Sequence, residues 1–231
     1  MNKPYFIDEL AHAGPEHLDT DFVAGYDRKQ AFDPASDLAV LRGLGLSQSS
    51  ALVDLGSGTG RFALAAAREF GQVISVDISP AMLDYQRTRA REAGLANLSL
   101  VHAGFLTYEH VEPLADAVYT RNALHHLPDF WKAIALKRLA AILRPGGILR
   151  VHDLIYDFSP SDAEQVFDRW LAGAATDPSR GYTREDLAEH IRTEHSTYRW
   201  LFEPMLVAAG FKVLSVEYRG SVYGAYTCVK P

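Results

Sequence analysis

The chain has 231 residues and a single cysteine, Cys228. One thiol excludes an internal disulfide and a thiolate metal cage. Cys228 stands near the end of an apolar run, so we interpret it as a small core residue rather than a nucleophile. Positive charge is also scarce, because 23 lysines and arginines face 29 acidic residues for a formal net charge of −6. No uniform positive field is available to attract nucleic acid, and we expect no nucleic-acid partner.

Long apolar runs are absent as well. No uninterrupted run approaches the roughly eighteen residues that a membrane-spanning helix needs. The opening residues, MNKPYFIDELAHAG, lack the apolar stretch that is typical of a secretory signal. We therefore expect a cytoplasmic chain with no membrane partner, while its oligomeric state has no sequence signature.

From Ala51 onward, short apolar or β-branched runs alternate with helix-like segments. Ser79 followed by Pro80 is typical of a helix start, and several of the segments end at glycine. Such alternation predicts a parallel sheet covered by helices on both faces. The predicted strands are 50–55, 72–78, 97–103, 115–120, 148–156, 211–218 and 222–230, and the predicted helices are about 16–30, 34–44, 59–71, 79–94, 129–147, 160–173, 183–193 and 197–209.

The pattern favours a single domain over residues 1–231. A helical cap is predicted over 1–46 and a ligand-binding core over 50–155. Residues 157–195 contain helix-like stretches and no strand, so they are interpreted as a helical insertion that forms a lid. The last helix and a hairpin are predicted over 197–231.

The most informative segment is the glycine-rich loop VDLGSGTG, residues 53–60, between the first strand and its helix. Glycines there allow a tight turn and let a ligand lie against the helix N-terminus. Asp77 ends the second strand, where a carboxylate can accept two hydrogen bonds from a ribose diol. The alternative is a turn that merely needs glycines, but strand, loop, helix and distal aspartate together favour a binding site.

Asp54 distinguishes between ligands of opposite charge. A carboxylate beside the loop would repel a pyrophosphate and would favour an ammonium or sulfonium group. The glycine spacing is G-x-G-x-G rather than the G-x-G-x-x-G of dinucleotide-binding enzymes. A nicotinamide-dependent enzyme is therefore disfavoured.

These motifs resemble those of the class I S-adenosylmethionine-dependent methyltransferases. VDLGSGTG is similar to the family's first motif, VDISPAML to its second, DAVYTRNALHHL to its fourth-strand motif and LRPGGILRVHD to the helix–turn–strand that follows. The resemblance covers about residues 50–155 in order, and the end of the chain fits the family's final hairpin. It implies an α/β fold, a three-layer Rossmann-like arrangement of seven strands in the order 3-2-1-4-5-7-6, with strand 7 antiparallel.

The resemblance also implies S-adenosyl-L-methionine as the cofactor and assigns its contacts. Asp77 would bind the ribose, and Gly104 and Phe105 would approach the adenine, although the family commonly has an acidic residue at that place. The remaining implied contacts are Asp54, Gly56, Ser57, Gly58 and Gly60 at the methionine part, Ile78 and Met82 beside the adenine, and Arg121 and Asn122 on the fourth strand.

For the acceptor, residues at the carboxyl ends of the predicted strands are the candidates. His126 and Asp153 are candidate general bases, each with a structural role as the alternative. We expect no metal ion, because no H-E-x-x-H motif occurs and Glu189, His190 and His195 fall on predicted helix faces. The candidate substrate contacts are Tyr26, His125, Tyr156 and Tyr198.

Further absences narrow the acceptor class. The fourth strand lacks the Asn/Asp-Pro-Pro-Tyr/Phe signature of amino-directed DNA methyltransferases, and no Pro-Cys dipeptide exists for transfer to cytosine carbon. The sequence therefore favours a small-molecule acceptor. The alternatives are a methyltransferase acting on protein or RNA, and a protein that binds the cofactor or its demethylated product without catalysis.

Overall fold

The computed structural model describes residues 4–14, 18, 20–29, 32–111 and 113–231. Five parallel strands form the centre of its sheet, hydrogen-bonded in the order β3-β2-β1-β4-β5. These strands are β1 (Ala51–Leu55), β2 (Gln72–Asp77), β3 (Leu98–His102), β4 (Ala115–Arg121) and β5 (Leu143–Tyr156). Their carboxyl ends lie along one edge, which is where ligands bind in sheets of this kind.

Three further strands complete the sheet: β6 (Thr197–Tyr198), β7 (Lys212–Arg219) and β8 (Tyr223–Val229). The two-residue β6 pairs with the end of β5, while β8 runs antiparallel to both β5 and β7. The full order is β3-β2-β1-β4-β5-β8-β7, with β6 off this path. The predicted order is confirmed, since the short β6 only raises the numbers of the last two strands by one.

Helices cover both faces of the sheet, as predicted. On one face, α3 (Ala35–Gly43) and α4 (Arg61–Ala66) pack with Leu52 and Tyr119 of the strands. On the opposite face, α6 (Asp129–Ile142) and α9 (Arg199–Ala209) enclose the larger apolar cluster. Between β2 and β3, α5 (Pro80–Glu92) begins where the Ser79 hydroxyl accepts a hydrogen bond from Met82 N at 3.2 Å.

Two helices end earlier than predicted. After Ala66 the backbone changes to hydrogen bonds of the i→i−3 type, such as Glu69 N to Ala66 O at 2.9 Å, so α4 does not reach Gly71. The helix predicted over 129–147 ends at Ile142, and β5 begins at Leu143. Pro145 disfavours helical backbone at the residue before it, and Gly146 has a left-handed φ of 75°.

The remaining helices flank the sheet's ligand-binding edge. They are α1 (Glu9–Ala13) and α2 (Thr20–Lys29) near the N-terminus, and α7 (Ala163–Ala172) and α8 (Arg184–Thr193) in the insertion. The insertion helices match the prediction, whereas α1 was missed and the predicted helix over about 16–30 lies partly outside the described residues. Among the described residues, no helix is long and apolar enough to span a membrane.

Candidate functional site

The glycine loop adopts a backbone that other residues rarely take. Gly56, Gly58 and Gly60 have φ values of 74°, 55° and 76°, all in the left-handed region that favours glycine. A Cβ on Gly56 would fall 2.4 Å from the Cβ of Ala123, and one on Gly60 would fall 2.6 Å from the Gln86 side chain. These close approaches explain why the loop needs glycine at these positions.

Asp77 and Gln86 hold the loop in place. The Asp77 carboxylate accepts hydrogen bonds from Gly58 N at 2.6 Å and from Ser79 N at 2.8 Å. Gln86 Nε2 donates to Ser57 Oγ at 2.8 Å and to Gly58 O at 2.6 Å. The loop that starts α4 is therefore fixed from two sides by β2 and α5.

A cleft opens above this loop at the carboxyl ends of β1, β2 and β4. Most of the residues assigned to cofactor binding line it: Asp54, Gly56, Ser57, Gly58, Asp77, Ile78, Met82, Gly104, Phe105, Arg121 and Asn122. Gly60 does not line the cleft, because it lies under the loop against Gln86. The geometry favours a packing role for Gly60 over direct contact with a ligand.

The electrostatics of the cleft centre on Asp54. Its side chain is buried, and burial together with the negative charge of Asp77 raises the pKa of Asp54 well above its usual value. Asp54 Oδ2 accepts no hydrogen bond within the described part of the chain. A buried carboxylate oxygen of this kind fits a cationic ligand, since a positive group would satisfy it and stabilise the ionised form.

Glu9 of α1 also lines the cleft, and sequence reasoning missed it. Glu9 Oε1 accepts a hydrogen bond from Leu106 N at 3.0 Å, and a Cβ on Gly104 would fall 2.4 Å from the Glu9 carboxylate. Burial raises the pKa of Glu9, although backbone hydrogen bonds from Leu106 and Phe105 lower it in part. One signal in the sequence could have indicated Glu9. The family commonly has an acidic residue where this chain has Gly104 and Phe105, and Glu9 of α1 supplies a carboxylate beside that position.

Helix α2 packs against the glycine loop and places Tyr26 beside it. Asp27 accepts a hydrogen bond from the Thr59 hydroxyl and pairs with Arg89 Nη1 at 2.7 Å. Tyr26 consequently lies over the loop, with its ring 3.7 Å from the position that a Cβ on Gly58 would take. The sequence predicted Tyr26 as a ligand contact but gave no signal for the anchoring role of Asp27.

A second cavity of about 550 Å³ lies beside the cleft, beneath the insertion. It shares Tyr26, Asn122 and His126 with the cleft, so the two spaces meet at these side chains. Its wall comes from α1, α2, α8 and the turn after β4. This volume lies within the range typical of small-molecule sites.

The comparisons with known proteins agree with this geometry. Residues 52–147 match the sequence model of a family described as "Methyltransferase domain". The matched segment, less than half of the chain, is the one that carries the motifs of the class I S-adenosylmethionine-dependent methyltransferases. This confirms the family that the motifs predicted.

Two individual relatives match more of this chain than the family model does. An uncharacterized methyltransferase of Mycobacterium tuberculosis is 37% identical over 43% of this chain and 48% of its own length. The rat (Rattus norvegicus) glycine N-methyltransferase is 28% identical over 62% of this chain and 50% of its own length. The chain therefore spans about half the length of these curated relatives.

The fold similarity extends further than the sequence similarity. The magnesium protoporphyrin IX methyltransferase of Synechocystis, solved with bound S-adenosylmethionine, superposes with a TM-score of 0.67 at 14% identity. That match covers 99% of this chain and 100% of the other. At this identity the likeness demonstrates a shared fold and nothing about the ligand of this chain.

Of the two candidate bases, His126 reaches both cavities. Asp153 is 2% exposed and lines neither. Its Oδ1 lies 2.6 Å from His125 Nδ1, and its Oδ2 accepts hydrogen bonds from Ala123 N and Leu124 N at 3.1 and 2.8 Å. Both oxygens of Asp153 are therefore engaged, which favours a positioning role over that of a base.

His125 and Asp153 shift each other's pKa in opposite directions. Burial lowers the pKa of His125, but the carboxylates of Asp153 and Glu194 outweigh burial and raise it. In the same way, His125 and the backbone hydrogen bonds lower the pKa of Asp153 despite its burial. His125 also lines the second cavity, as its assignment as a substrate contact required.

Two assigned substrate contacts lie elsewhere. Tyr156 and Tyr198 pack edge to face with ring centroids 5.8 Å apart, and each also contacts Phe158. Neither tyrosine lines the cleft or the second cavity. Their rings instead pack in the apolar cluster between the insertion and the end of β5, which favours a structural role for both.

Proposed function

We propose that this protein is a methyltransferase that uses S-adenosyl-L-methionine and acts on a small organic molecule. The observation that carries the proposal is the buried, unsatisfied Asp54 oxygen in a cleft whose floor is the glycine loop. Family membership supports the same cofactor, which supplies a methyl group activated by sulfonium charge. The protein's task is then to bind, to align the acceptor and to exclude water.

The cleft offers a group for each polar part of that cofactor. Asp54 is suited to the positive charge of the methionine portion, and Asp77 at the end of β2 is suited to the ribose hydroxyls. Ile78, Met82 and Phe105 provide apolar surface for the adenine. Glu9, beside Gly104, supplies the acidic group that the family commonly carries at that place.

The second cavity is the proposed acceptor site. The insertion, α1 and α2 contribute to its wall, and its volume of about 550 Å³ suits a small molecule rather than a protein or RNA segment. Tyr26, Asn122 and His126 stand where the two spaces meet, so an acceptor there would face the cleft. His126 is the proposed base for an acceptor that arrives protonated. Asp153 holds the adjacent His125 and so fixes the turn that carries His126.

Binding without catalysis is the alternative from another class, and transfer to protein or RNA is the second. Turnover separates them: purified protein and methyl-labelled cofactor would be incubated with fractionated metabolite pools, with a protein extract and with total RNA. Label in a small-molecule fraction supports the proposal. Label in the protein or RNA fraction, or none in any fraction despite cofactor binding, contradicts it.

The cofactor assignment is tested by calorimetry on the wild type and on Asp77→Ala. We expect S-adenosylmethionine and S-adenosylhomocysteine to bind while NAD gives no heat. Loss of two charge-assisted hydrogen bonds lowers the affinity by about 2–4 kcal/mol, roughly 30- to 1000-fold. Binding of NAD alone, or an unchanged dissociation constant in the variant, would contradict the assignment.

The matched control is Gln86→Ala. Gln86 holds the same loop through Ser57 and Gly58 but does not line the cleft. We expect it to weaken binding far less than Asp77→Ala does. An equal loss would show that Asp77 acts only by holding the loop.

A further inference from the structure

Three side chains with possible metal-ligand atoms meet at the base of the insertion. His125 follows β4, His190 lies in α8, and Glu194 comes directly after that helix. One ligand atom from each lies within 4.8 Å of the others. His190 Nδ1 contacts Glu194 Oε1, and His125 Nε2 lies 3.2 Å from Glu194 Oε2. The three groups converge from two separate parts of the chain.

A fourth group prepares His125 for coordination. Asp153 Oδ1 lies 2.6 Å from His125 Nδ1, which directs the other ring nitrogen, Nε2, towards Glu194. Metal-binding histidines in proteins characteristically use this arrangement, in which a carboxylate fixes the ring and raises its basicity. Asp153 itself is held by the backbone N–H groups of Ala123 and Leu124.

The separation of His125 Nε2 from Glu194 Oε2 is compatible with two ligands of one ion. Ligand bonds of about 2.0–2.1 Å at tetrahedral angles place two ligand atoms about 3.3–3.4 Å apart. The 3.2 Å between His125 Nε2 and Glu194 Oε2 is close to that value. Glu194 Oε2 is buried and accepts no aligned hydrogen bond from the described residues, so its second oxygen is available to an ion.

We propose that His125, His190 and Glu194 bind a divalent transition-metal ion such as zinc. Two imidazole nitrogens and one carboxylate oxygen are a preferred ligand set for such ions, and three protein ligands leave a further position. All three side chains line the second cavity, so that position opens into it. The site was not expected from the sequence, because His125 lies far along the chain from His190 and Glu194 and only folding brings them together.

The ion would join the insertion to the core. His125 belongs to the turn after β4, while the other two ligands belong to the end of the insertion. The backbone already anchors this end, since His195 N donates to His125 O at 2.8 Å and Lys132 Nζ donates to His195 O. A bound ion would link His125 of the core to His190 and Glu194 of the insertion. We therefore expect it to slow the local unfolding of α8.

The test is zinc titration of chelator-treated, full-length protein, followed by calorimetry and repeated with cobalt, whose visible absorption reports the ligand geometry. We expect saturable binding of one ion per chain and a tetrahedral or five-coordinate cobalt spectrum. His190→Ala should weaken zinc binding by roughly 100-fold or more, and Glu194→Gln should also weaken it while preserving side-chain shape. Asp153→Asn should weaken it about 10- to 100-fold.

His195→Ala is the control, because it removes one histidine from the same segment without touching the cluster. We expect its zinc affinity to stay within a few-fold of the wild type. Hydrogen exchange of α8 should slow on zinc addition in the wild type and in this control, but not in Glu194→Gln. Absence of saturable binding, or equal losses in His190→Ala and His195→Ala, would overturn the proposal without affecting the assignment of the cofactor cleft.

Discussion

Asp37 offers the sharpest test of how the N-terminal cap is attached to the sheet. It lies in α3 with 1% of its surface exposed; three side chains from β4 and β5 lie within hydrogen-bond distance of its carboxylate, and Arg121 Nη1 of β4 lies 3.7 Å away. The distances are 3.0 Å to Arg150 Nε, 2.6 Å to His152 Nε2 and 3.0 Å to Tyr119 Oη. Replacing Asp37 by asparagine keeps the shape and removes the charge.

The expected magnitude follows from the pKa of Asp37. Burial alone raises it, but the hydrogen bond from His152 and the charge of Arg150 outweigh burial and lower the pKa from 3.8 to about 2. At about 1.4 kcal/mol per unit, ionised Asp37 contributes about 2 kcal/mol to stability at neutral pH. Because Arg150 would be left buried without its partner, we expect Asp37→Asn to lower the free energy of unfolding by about 2–4 kcal/mol.

The pH dependence provides a second signature. A lowered carboxyl pKa stabilises the fold above the unfolded-state value of 3.8, and this contribution is lost as the pH falls towards about 2. The stability gap between wild type and Asp37→Asn should therefore be full at pH 7 and shrink between pH 4 and pH 2.

The assay is urea unfolding followed by circular dichroism at several pH values. Asp84→Asn serves as the control, since Asp84 pairs with Arg87 on the exposed face of α5. We expect it to change the stability by less than about 0.5 kcal/mol. A gap for Asp37→Asn that is below 1 kcal/mol or that does not vary with pH would refute the reasoning.

Three other outcomes are expected. Asp54→Asn should stabilise the ligand-free protein at neutral pH, because ionising a buried carboxyl with a raised pKa costs more free energy of folding as the pH rises above 3.8. The same variant should bind S-adenosylmethionine more than tenfold more weakly. Calorimetry that shows neither change would contradict the charge argument. Glu9→Gln should weaken cofactor binding by about 1 kcal/mol, roughly fivefold, and equal affinities would place Glu9 outside the adenine site. Once an acceptor is known, His126→Ala should lower turnover about 100-fold while its cofactor affinity stays within a few-fold of the wild type. Normal turnover of the folded variant would contradict the role of His126 as a base.

Local patterns in the sequence were sufficient for most of the fold. Strand–helix alternation, the cap at Ser79 and the glycine loop are short-range features, and the structure contains each of them. The sheet order and the antiparallel last strand came from the resemblance, and they too are confirmed. Helix ends were less accurate, as at Ile142, because competing local hydrogen bonds decide where a last turn stops.

The cofactor cleft was predictable for a related reason. Parallel strands bring their carboxyl ends to one edge, so motifs that follow β1, β2 and β4 in the sequence necessarily meet there. The exception, Gly60, shows that a glycine in the right motif can serve the packing of the loop against Gln86 rather than the ligand.

The long-range contacts between side chains were decided by tertiary structure. Glu9 reaches Gly104, and Glu194 reaches His125, across long stretches of chain, and no periodicity or spacing encodes such meetings. Asp153 and Tyr156 looked available from their places at a strand end, yet neighbouring groups bury and occupy them. Sequence patterns specify which backbone forms, while the burial and partners of a side chain depend on every element that packs against it.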